Sequence, residues 1–264
     1  MKITAVKAIG LRWECPVMSD SMSVCKARQA LWVKVETDTE IYGIGEAFCY
    51  GSPLIIAKYI VEEQLAPAIL GEDPTEIERL WQRMYWRNVP NGRTGLVMGC
   101  ISGIDIALWD ILGKVAGMPV SKLLGAHSER IPAYASGGFY APGKDLDGLK
   151  REIEGYKEKG YQDIKIKIGR NPEMAGNAVN YTASTEFSVC YEKDIERLET
   201  VRKIMGKQGR LAADTNAAWP VEAVLSAAKD FHEAGLNWLE EPILFEDEDG
   251  LKQLRTELLD ISIM

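Results

Sequence analysis

The fold of this chain is decided by three short apolar stretches, Asp163-Ile164-Lys165-Ile166-Lys167-Ile168, Leu211-Ala212-Ala213-Asp214-Thr215-Asn216 and Trp238-Leu239-Glu240-Glu241. Each has the length of a β-strand and carries charged side chains toward its end. Alternate side chains of a strand point to opposite faces, so Lys165 and Lys167 share one face and the isoleucines share the other. The same alternation places Asp214 with Asn216. We expect two ammonium groups and the carboxylates of Asp214 and Glu240 to converge on one side of a sheet, which is costly unless a site uses them.

These stretches belong to an alternation of strands and helices that begins near residue 130. Helices are predicted at about 146–159, 192–206, 221–234 and 247–258. Such repeats imply parallel strands joined by right-handed crossovers. No Gly-x-Gly-x-x-Gly motif follows the first strand, at 131–136, which favours a barrel over a dinucleotide-binding sheet. The polar stretch 171–190 is either an insertion beside the carboxyl ends of the strands, where barrel active sites form, or a surface excursion.

Residues 1–128 are predicted to form a separate α+β domain ahead of the domain at 129–264. Its strands are expected at 2–13, 27–37 and 41–48, and its helices at about 54–69, 75–88 and 95–117. The segment 14–26, between the first two strands, contains Pro16 and several serines. We therefore predict a loop there that is long enough to act as a flap.

Composition excludes several classes of function. The net charge of −8 argues against a nucleic-acid or anionic-membrane surface, since both attract clustered Lys and Arg. The sequence shows no signal region and no apolar run of membrane-spanning length, so a cytoplasmic location is expected. An odd number of widely spaced cysteines with no C-x-x-C pair indicates neither a disulfide framework nor a zinc site. The cysteines are Cys15, Cys25, Cys49, Cys100 and Cys190.

Asp214 and Glu240 are candidate metal ligands, because each lies at the carboxyl end of one of two neighbouring predicted strands. Hard carboxylate oxygens that face inward suit Mg²⁺. Either residue alone could be a salt-bridge or capping acid, but the shared alternation and placement favour a metal site. Two ligands are few, and a third is expected on the next strand.

Lys165 and Lys167 are candidates for proton transfer. Burial beside another ammonium group should lower the pKa of a lysine and make the neutral amine reachable. Such an amine could take a proton from the carbon next to a carboxylate, while a metal stabilises the resulting enediolate. Two lysines on an exposed edge strand would be the simpler explanation, but the isoleucines indicate an interior strand. A Schiff-base lysine is the rival chemistry, and it leaves the two carboxylates without a role.

The chain resembles the enolase superfamily, in its mandelate racemase and muconate-lactonizing branch. The matching motifs are Lys165-Ile166-Lys167, Asp214-Thr215-Asn216, Trp238-Leu239-Glu240-Glu241-Pro242, Gly103-Ile104-Asp105-Ile106-Ala107-Leu108-Trp109-Asp110 and Leu123-Leu124-Gly125. They occur in order over nearly the whole chain. The resemblance implies an α/β fold, a (β/α)8-type barrel preceded by an α+β capping domain, and Mg²⁺-dependent proton abstraction α to a carboxylate.

The resemblance also implies a role for each candidate. Lys167 would be the base, and Lys165 would steady the substrate carboxylate and lower the pKa of its neighbour. Asp214 and Glu240 would be the first two Mg²⁺ ligands, and Asn216 a substrate contact. The segment 14–26 and the loop near Tyr50 would close over the substrate.

Only about the first half of such a barrel is expected in this chain. Four strand–helix units precede Asp260-Ile261-Ser262-Ile263-Met264, which looks like the opening of a fifth strand. In the family the third acidic ligand lies at the end of that strand, and a histidine on the seventh often serves the opposite face. His127 and His232 match neither position. A half barrel leaves an unpaired edge, so we expect the chain alone to have little or no activity.

Among the outcomes of the family reaction, acid-sugar dehydration or lactone cycloisomerisation is expected, because the polar loops suggest a hydroxylated substrate. Racemisation stays open. The expected partners are a small carboxylate, most simply a sugar acid, and further copies of the chain as a homo-oligomer, with no nucleic acid and no membrane. The alternative is a truncated, non-catalytic remnant, or a subunit whose barrel is completed from elsewhere. The gene sequence after Met264 would separate these alternatives.

Overall fold

The computed structural model describes residues 1–21, 23–169 and 191–264, with Tyr191 described in its backbone alone. The chain divides into two compact units. Unit 1 comprises Met1–Glu14 and Ala27–Arg130, and unit 2 comprises Cys15–Lys26 and Ile131–Met264. The segment that sequence analysis placed inside the first domain as a flap therefore groups with the second unit.

A three-stranded sheet begins the chain. It comprises β1 (Ile3–Ser19), β2 (Val24–Thr37) and β3 (Tyr42–Ala47), in the order β1-β2-β3. β2 and β3 pair antiparallel, with Leu31 opposite Ala47. The prediction of a loop at 14–26 is wrong, because β1 continues to Ser19 and β2 begins at Val24. Pro16 does not prevent this, since β1 is an edge strand and proline is tolerated there.

The helices of unit 1 follow its sheet. They are α1 (Leu54–Tyr59), a π-helical turn at Ile60–Leu65, a 3-10 turn at Ala66–Ala68, α2 (Ile77–Asn88), a 3-10 turn at Val89–Asn91, α3 (Leu96–Ala116) and α4 (Val120–Leu123). The single helix predicted at 54–69 is thus divided. Pro67 lies in the first 3-10 turn, where its missing N–H would otherwise interrupt an α-helix.

The core helix of unit 1 is α3. Ile104 and Leu108 are fully buried, and β3 approaches so closely that a Cβ on Gly43 would meet the backbone of Ala107. Within the described ranges, α3 alone has the length and apolar composition to cross a membrane, and half of its apolar window is buried inside the protein. The expectation that no run reaches that length is therefore wrong, although a core helix passes the same test.

Unit 2 alternates strands and helices around a parallel sheet. The elements are β4 (Tyr134–Gly137), α5 (Leu146–Glu158), β5 (Asp163–Lys167), α6 (Tyr191–Met205), β6 (Leu211–Asp214), α7 (Val221–Ser226), α8 (Ala228–Glu233), β7 (Leu236–Glu240), α9 (Glu248–Glu257) and β8 (Ser262–Ile263). In the part of the chain that is described, five strands form one parallel sheet in the order β4-β5-β6-β7-β8. The predicted parallel α/β arrangement is confirmed. The polar stretch 171–190 lies outside the described residues.

The isoleucines of β5, together with Ile168 directly after it, pack into the core of unit 2. Ile164, Ile166 and Ile168 are fully buried in one apolar cluster with Leu149 of α5 and Leu198 of α6. Burying apolar side chains on the helix-covered face of a parallel sheet stabilises it by roughly 1.5–3 kcal/mol for each large residue. The alternation that sends these side chains to the helices leaves Lys165 and Lys167 for the other face.

Candidate active site

The register of the sheet places three of the predicted site residues side by side. Lys167 pairs with Asp214, and Asp214 pairs with Glu240. Each is the last residue of its strand, on β5, β6 and β7 respectively. Neighbouring strands lie about 4.8 Å apart, so side chains in one row of a sheet can touch. The carboxyl ends of three strands therefore bring an amine and two carboxylates together.

Four charged side chains form one cluster of ion pairs. Nζ of Lys167 lies 2.5 Å from Oδ2 of Asp214, and Nζ of Lys165 lies 3.0 Å from the same oxygen. Nζ of Lys165 also lies 2.5 Å from Oε1 of Glu240. The Asp214 side chain is 1% exposed, whereas that of Glu240 is 25% exposed. The sequence prediction that these four charges converge is confirmed, while their chemical roles stay predictions.

The electrostatics of Lys165 differ from expectation. Burial lowers the pKa of its ammonium group, but hydrogen bonds to Glu240 and Asp214, together with their charges, raise the pKa more strongly. Sequence analysis expected a lowered pKa from burial beside a second ammonium group. That expectation is wrong for Lys165 in this arrangement, because two carboxylates contact it directly.

The same contacts test whether this donor set fits Mg²⁺. The ammonium group of Lys165 donates hydrogen bonds to carboxylate oxygens of both Asp214 and Glu240. Two hard oxygens from adjacent strands aimed at one positive charge are a donor set that Mg²⁺ uses, with water or substrate supplying its other ligands. Within 1–21, 23–169 and 191–264, no group of three or more His, Cys, Asp or Glu side chains is gathered for a metal. The two carboxylates have the chemistry of Mg²⁺ ligands, and their assignment to a magnesium site stays a prediction.

Asn216 lies just beyond the strand, where the alternation no longer applies. β6 ends at Asp214, and Asn216 has a φ of 46°. Its backbone N–H donates to Oδ1 of Asp214 at 2.9 Å, while its side-chain amide donates to Oε2 of Glu241 at 3.0 Å. Its buried Oδ1 has no hydrogen-bond partner among the described residues. Because of this left-handed turn, strand alternation no longer decides the direction of the Asn216 side chain, and its contact with substrate stays a prediction.

Aromatic rings beside the lysines were missed by sequence analysis. Nζ of Lys165 lies 5.7 Å from the ring centroid of Tyr134, and Nζ of Lys167 lies 5.6 Å from that of Phe139. Tyr134 also meets Trp238 edge-to-face at 5.2 Å. Strand alternation could have found Tyr134, which lies on β4. Phe139 follows the end of β4, where no periodic pattern indicates it.

The tip between β1 and β2 lies at the carboxyl ends of the parallel strands. Ser19 and Tyr140 pair through both backbone groups, at 2.7 and 2.9 Å. The Ser21 hydroxyl donates to the carbonyl oxygen of Thr215, the residue after β6. Ser19 and Ser21 thus dock on the edge of the sheet that carries the charged cluster. The loop near Tyr50 belongs to unit 1.

Two family models match the chain. The model of the mandelate racemase / muconate lactonizing enzyme N-terminal domain matches residues 3–125, and the enolase C-terminal domain-like model matches residues 148–264. Together they include every residue of the charged cluster.

Curated relatives and solved structures agree with these matches. Arabinonate dehydratase of Saccharolobus solfataricus is 35% identical over 85% of this chain and 55% of its own length. D-galactarolactone cycloisomerase of Agrobacterium fabrum is 31% identical over 97% of this chain and 62% of its own. A racemase from Streptomyces coelicolor A3(2), solved with bound magnesium, is 26% identical with a TM-score of 0.85, over 99% of this chain and 68% of that chain. The chain thus spans little more than half the length of these curated relatives, and it belongs to the enolase superfamily, in its mandelate racemase/muconate lactonizing enzyme branch.

Proposed function

We propose that the charged cluster removes a proton from the carbon next to the carboxylate of a sugar acid, in a reaction that depends on Mg²⁺. The observation that carries this proposal is the row formed by Lys167, Asp214 and Glu240 on three adjacent strand ends. A base and two metal ligands within one row can act on a single small substrate. The names of the relatives, a sugar-acid dehydratase and a sugar-lactone cycloisomerase, support the same substrate class.

Each side chain of the cluster has a distinct task in this proposal. Asp214 and Glu240 would hold Mg²⁺, which supplies positive charge beside the substrate carboxylate and so stabilises the enediolate. Lys165 would donate hydrogen bonds to that carboxylate. Lys167, as the neutral amine, would accept the α-proton on Nζ, and the electron pair of the C–H bond would pass into the carboxylate. Tyr134 and Phe139 would exclude water beside the two lysines.

The fate of the enediolate distinguishes the possible products. In dehydration, the electron pair expels the hydroxyl group of the next carbon, which takes up one proton, equal in number to the one lost to Lys167, and leaves as water. The enol that remains becomes a 2-keto-3-deoxy acid. In cycloisomerisation, the electron pair instead breaks the bond between the next carbon and a ring oxygen, and the ring opens. In the reverse direction that carbon–oxygen bond forms and the ring closes. We favour these two outcomes for a hydroxylated substrate. Racemisation, in which the proton returns from the opposite face, would require a second base.

We further propose that the five described strands are part of a (β/α)8 barrel, as the family match supports. Such a barrel would bring additional oxygen ligands to the ion held by Asp214 and Glu240. A homo-oligomer is proposed on the family resemblance alone, and a cytoplasmic location stays an expectation. Because two carboxylates alone would hold Mg²⁺ weakly, we expect at most slow turnover from the chain by itself.

A non-catalytic role is the second candidate, and one observation favours it. Lys165 and Lys167 already neutralise Asp214 and Glu240 within the protein. Such a balanced cluster can hold strand ends together without any metal or substrate. This would be the state of a remnant, or of a subunit that needs residues from elsewhere.

The deciding experiment is an assay of the 264-residue protein on arabinonate, galactarate and D-galactarolactone, with and without Mg²⁺. Product would be detected as a 2-keto acid or as an opened lactone. We expect slow, Mg²⁺-dependent product formation that disappears in Lys167→Met and persists in Lys159→Met, a matched change at an exposed lysine. Absence of product from every compound would favour the non-catalytic role. Rapid turnover would support the chemistry and contradict the expectation of low activity.

A further inference from the structure

A buried guanidinium joins the carboxyl ends of two neighbouring strands. Arg197 lies on α6 and is 3% exposed. Its Nη2 atom donates to the carbonyl oxygen of Lys167, the last residue of β5, at 3.2 Å. The same nitrogen donates to the carbonyl oxygen of Gly138, directly after β4. One side chain therefore fixes the end of β4 relative to the end of β5.

A buried carboxylate one turn earlier on α6 fixes the same two segments a second time. Asp194 is fully buried. Its Oδ1 accepts from the hydroxyl of Tyr140 at 2.9 Å, and its Oδ2 accepts from the backbone N–H of Gly169 at 3.1 Å. The guanidinium of Arg197 stacks on the Tyr140 ring, 4.2 Å from its centroid. We name Tyr140, Asp194 and Arg197 the strand-end clamp.

The strand-end clamp brackets two residues of the candidate site. Phe139 lies between Gly138 and Tyr140, both of which the clamp holds. Lys167 is held at its own carbonyl oxygen and, two residues later, at the N–H of Gly169. The ammonium group of Lys167 faces the Phe139 ring at 5.6 Å. A shift of either strand end would change that contact and the direction from which Nζ approaches a substrate.

The clamp also contacts the tip of the β1–β2 hairpin. Tyr140 pairs with Ser19 through both of its backbone groups, while its hydroxyl binds Asp194. The docked position of the hairpin tip and the position of the Lys167 strand end therefore share one residue. Buried ionic groups often add little stability compared with apolar replacements, so their presence at this point suits positioning better than stabilisation.

We propose that Tyr140, Asp194 and Arg197 are positioning residues that hold Lys167 and Phe139 in register and link them to the docked hairpin tip. The catalytic consequence rests on the proposed function, whereas the link itself does not. A misplacement on the order of 1 Å at a reacting group can reduce a rate about a hundredfold, so a clamp at the base would be a strong determinant of kcat.

The link is tested by amide hydrogen exchange in Tyr140→Phe, with Tyr161→Phe as the matched control. Tyr140→Phe removes one oxygen atom and keeps the ring, so folding is retained. Loss of the hydrogen bond from Tyr140 to buried Asp194 should speed exchange at Gly169 and Ser19 by on the order of tenfold, without a comparable change at amides of β7. Equal exchange in both variants at Gly169 and Ser19 would overturn the proposal.

The catalytic consequence is tested in the acid-sugar assay with Tyr140→Phe, Arg197→Met and Arg197→Lys. We expect kcat to fall by about ten- to a hundredfold with KM nearly unchanged, and Arg197→Lys to recover part of the loss. Faster exchange with an unchanged kcat would overturn the positioning role. If the wild-type protein lacks activity but Tyr140→Phe still loosens Gly169 and Ser19, the proposed function fails and the link stands.

Discussion

The Nζ atom of Lys167 lies 2.5 Å from Oδ2 of Asp214, its register neighbour on the next strand of the parallel sheet. The same oxygen lies 3.0 Å from Nζ of Lys165. One buried carboxylate therefore faces two ammonium groups, and Glu240 supplies the second negative charge from the partly exposed side. Asp214 is the electrostatic centre of the cluster.

Among the four charged residues of the cluster, Asp214 should therefore be the one whose replacement lowers the free energy of unfolding most. Asp214→Ala leaves two buried ammonium groups with Glu240 as their remaining acid in the cluster, and breaking a buried pair in this way costs about 3–5 kcal/mol. Lys167→Met should cost less, because Asp214 keeps Lys165 as its partner. Urea unfolding without Mg²⁺ measures both free energies. Equal losses in the two variants would show that Asp214 is not the centre of the cluster.

Magnesium should stabilise the folded protein through Glu240. Binding to the folded state alone raises the free energy of unfolding, by about 2.7 kcal/mol at a concentration one hundred times Kd. We expect the Tm to rise with Mg²⁺ in the wild type and in Glu241→Gln, a matched change at the exposed neighbour. Glu240→Gln should lose most of the response, because one of the two carboxylate ligands is gone. A wild-type response in Glu240→Gln would exclude that residue as a ligand.

Asp194 should make stability depend on pH. Burial raises the pKa of its carboxyl group to about 7, although the Tyr140 hydroxyl, the charge of Arg197 and the N–H of Gly169 oppose the shift. The ordinary value in an unfolded chain is about 3.9, so the folded state binds this proton more tightly. The resulting stability is fully present below about pH 4 and is lost as the pH rises through about 7.

Asp194→Asn removes this titration and should therefore gain stability relative to the wild type as the pH rises from about 4 to about 7. Chemical denaturation at intervals of about one pH unit measures the difference. Asp249→Asn, at an exposed carboxylate, serves as the control. A stability difference that does not vary over this range would contradict the raised pKa.

Cys15 and Cys25 should form a disulfide under mild oxidation. Their Sγ atoms lie 3.9 Å apart, close to the end of the β1–β2 hairpin, and a disulfide needs about 2.05 Å. Oxidised glutathione would accept the two electrons and become two thiols, while each cysteine loses a proton. Peptide mass spectrometry without reduction should find this pair in the wild type and in Cys49→Ser, and lose it in Cys25→Ser. Persistence of the same cross-linked mass in Cys25→Ser would contradict the assignment.

Sequence alone located the charged cluster because its signal is local. Charged side chains alternating with isoleucine, as at Lys165 and Lys167, are costly on an interior strand, and that cost points to a site. Alternation could not decide the direction of the Asn216 side chain, because the strand ends at Asp214. The proximity of Cys15 to Cys25 was missed because cysteine spacing does not reveal which strands lie side by side.

The strand-end clamp could not have been predicted from the sequence. Asp194 and Arg197 are three residues apart on α6, a spacing that in a sequence resembles an ordinary solvated ion pair. Their burial depends on where α6 packs relative to the ends of β4 and β5, which is a long-range property. Tyr140 likewise lies in a connecting segment with no periodic pattern.

The α-proton of an acid sugar gives the most direct test of the central claim that Lys167 is a base beside a Mg²⁺ site. The protein would be incubated with Mg²⁺ and each of the acid sugars named above in D₂O, and the α-proton signal followed by NMR. We predict that the signal decays with the wild type and with Lys159→Met, and persists with Lys167→Met or without Mg²⁺. Decay at the wild-type rate in Lys167→Met, or no decay with the wild type, would contradict the account.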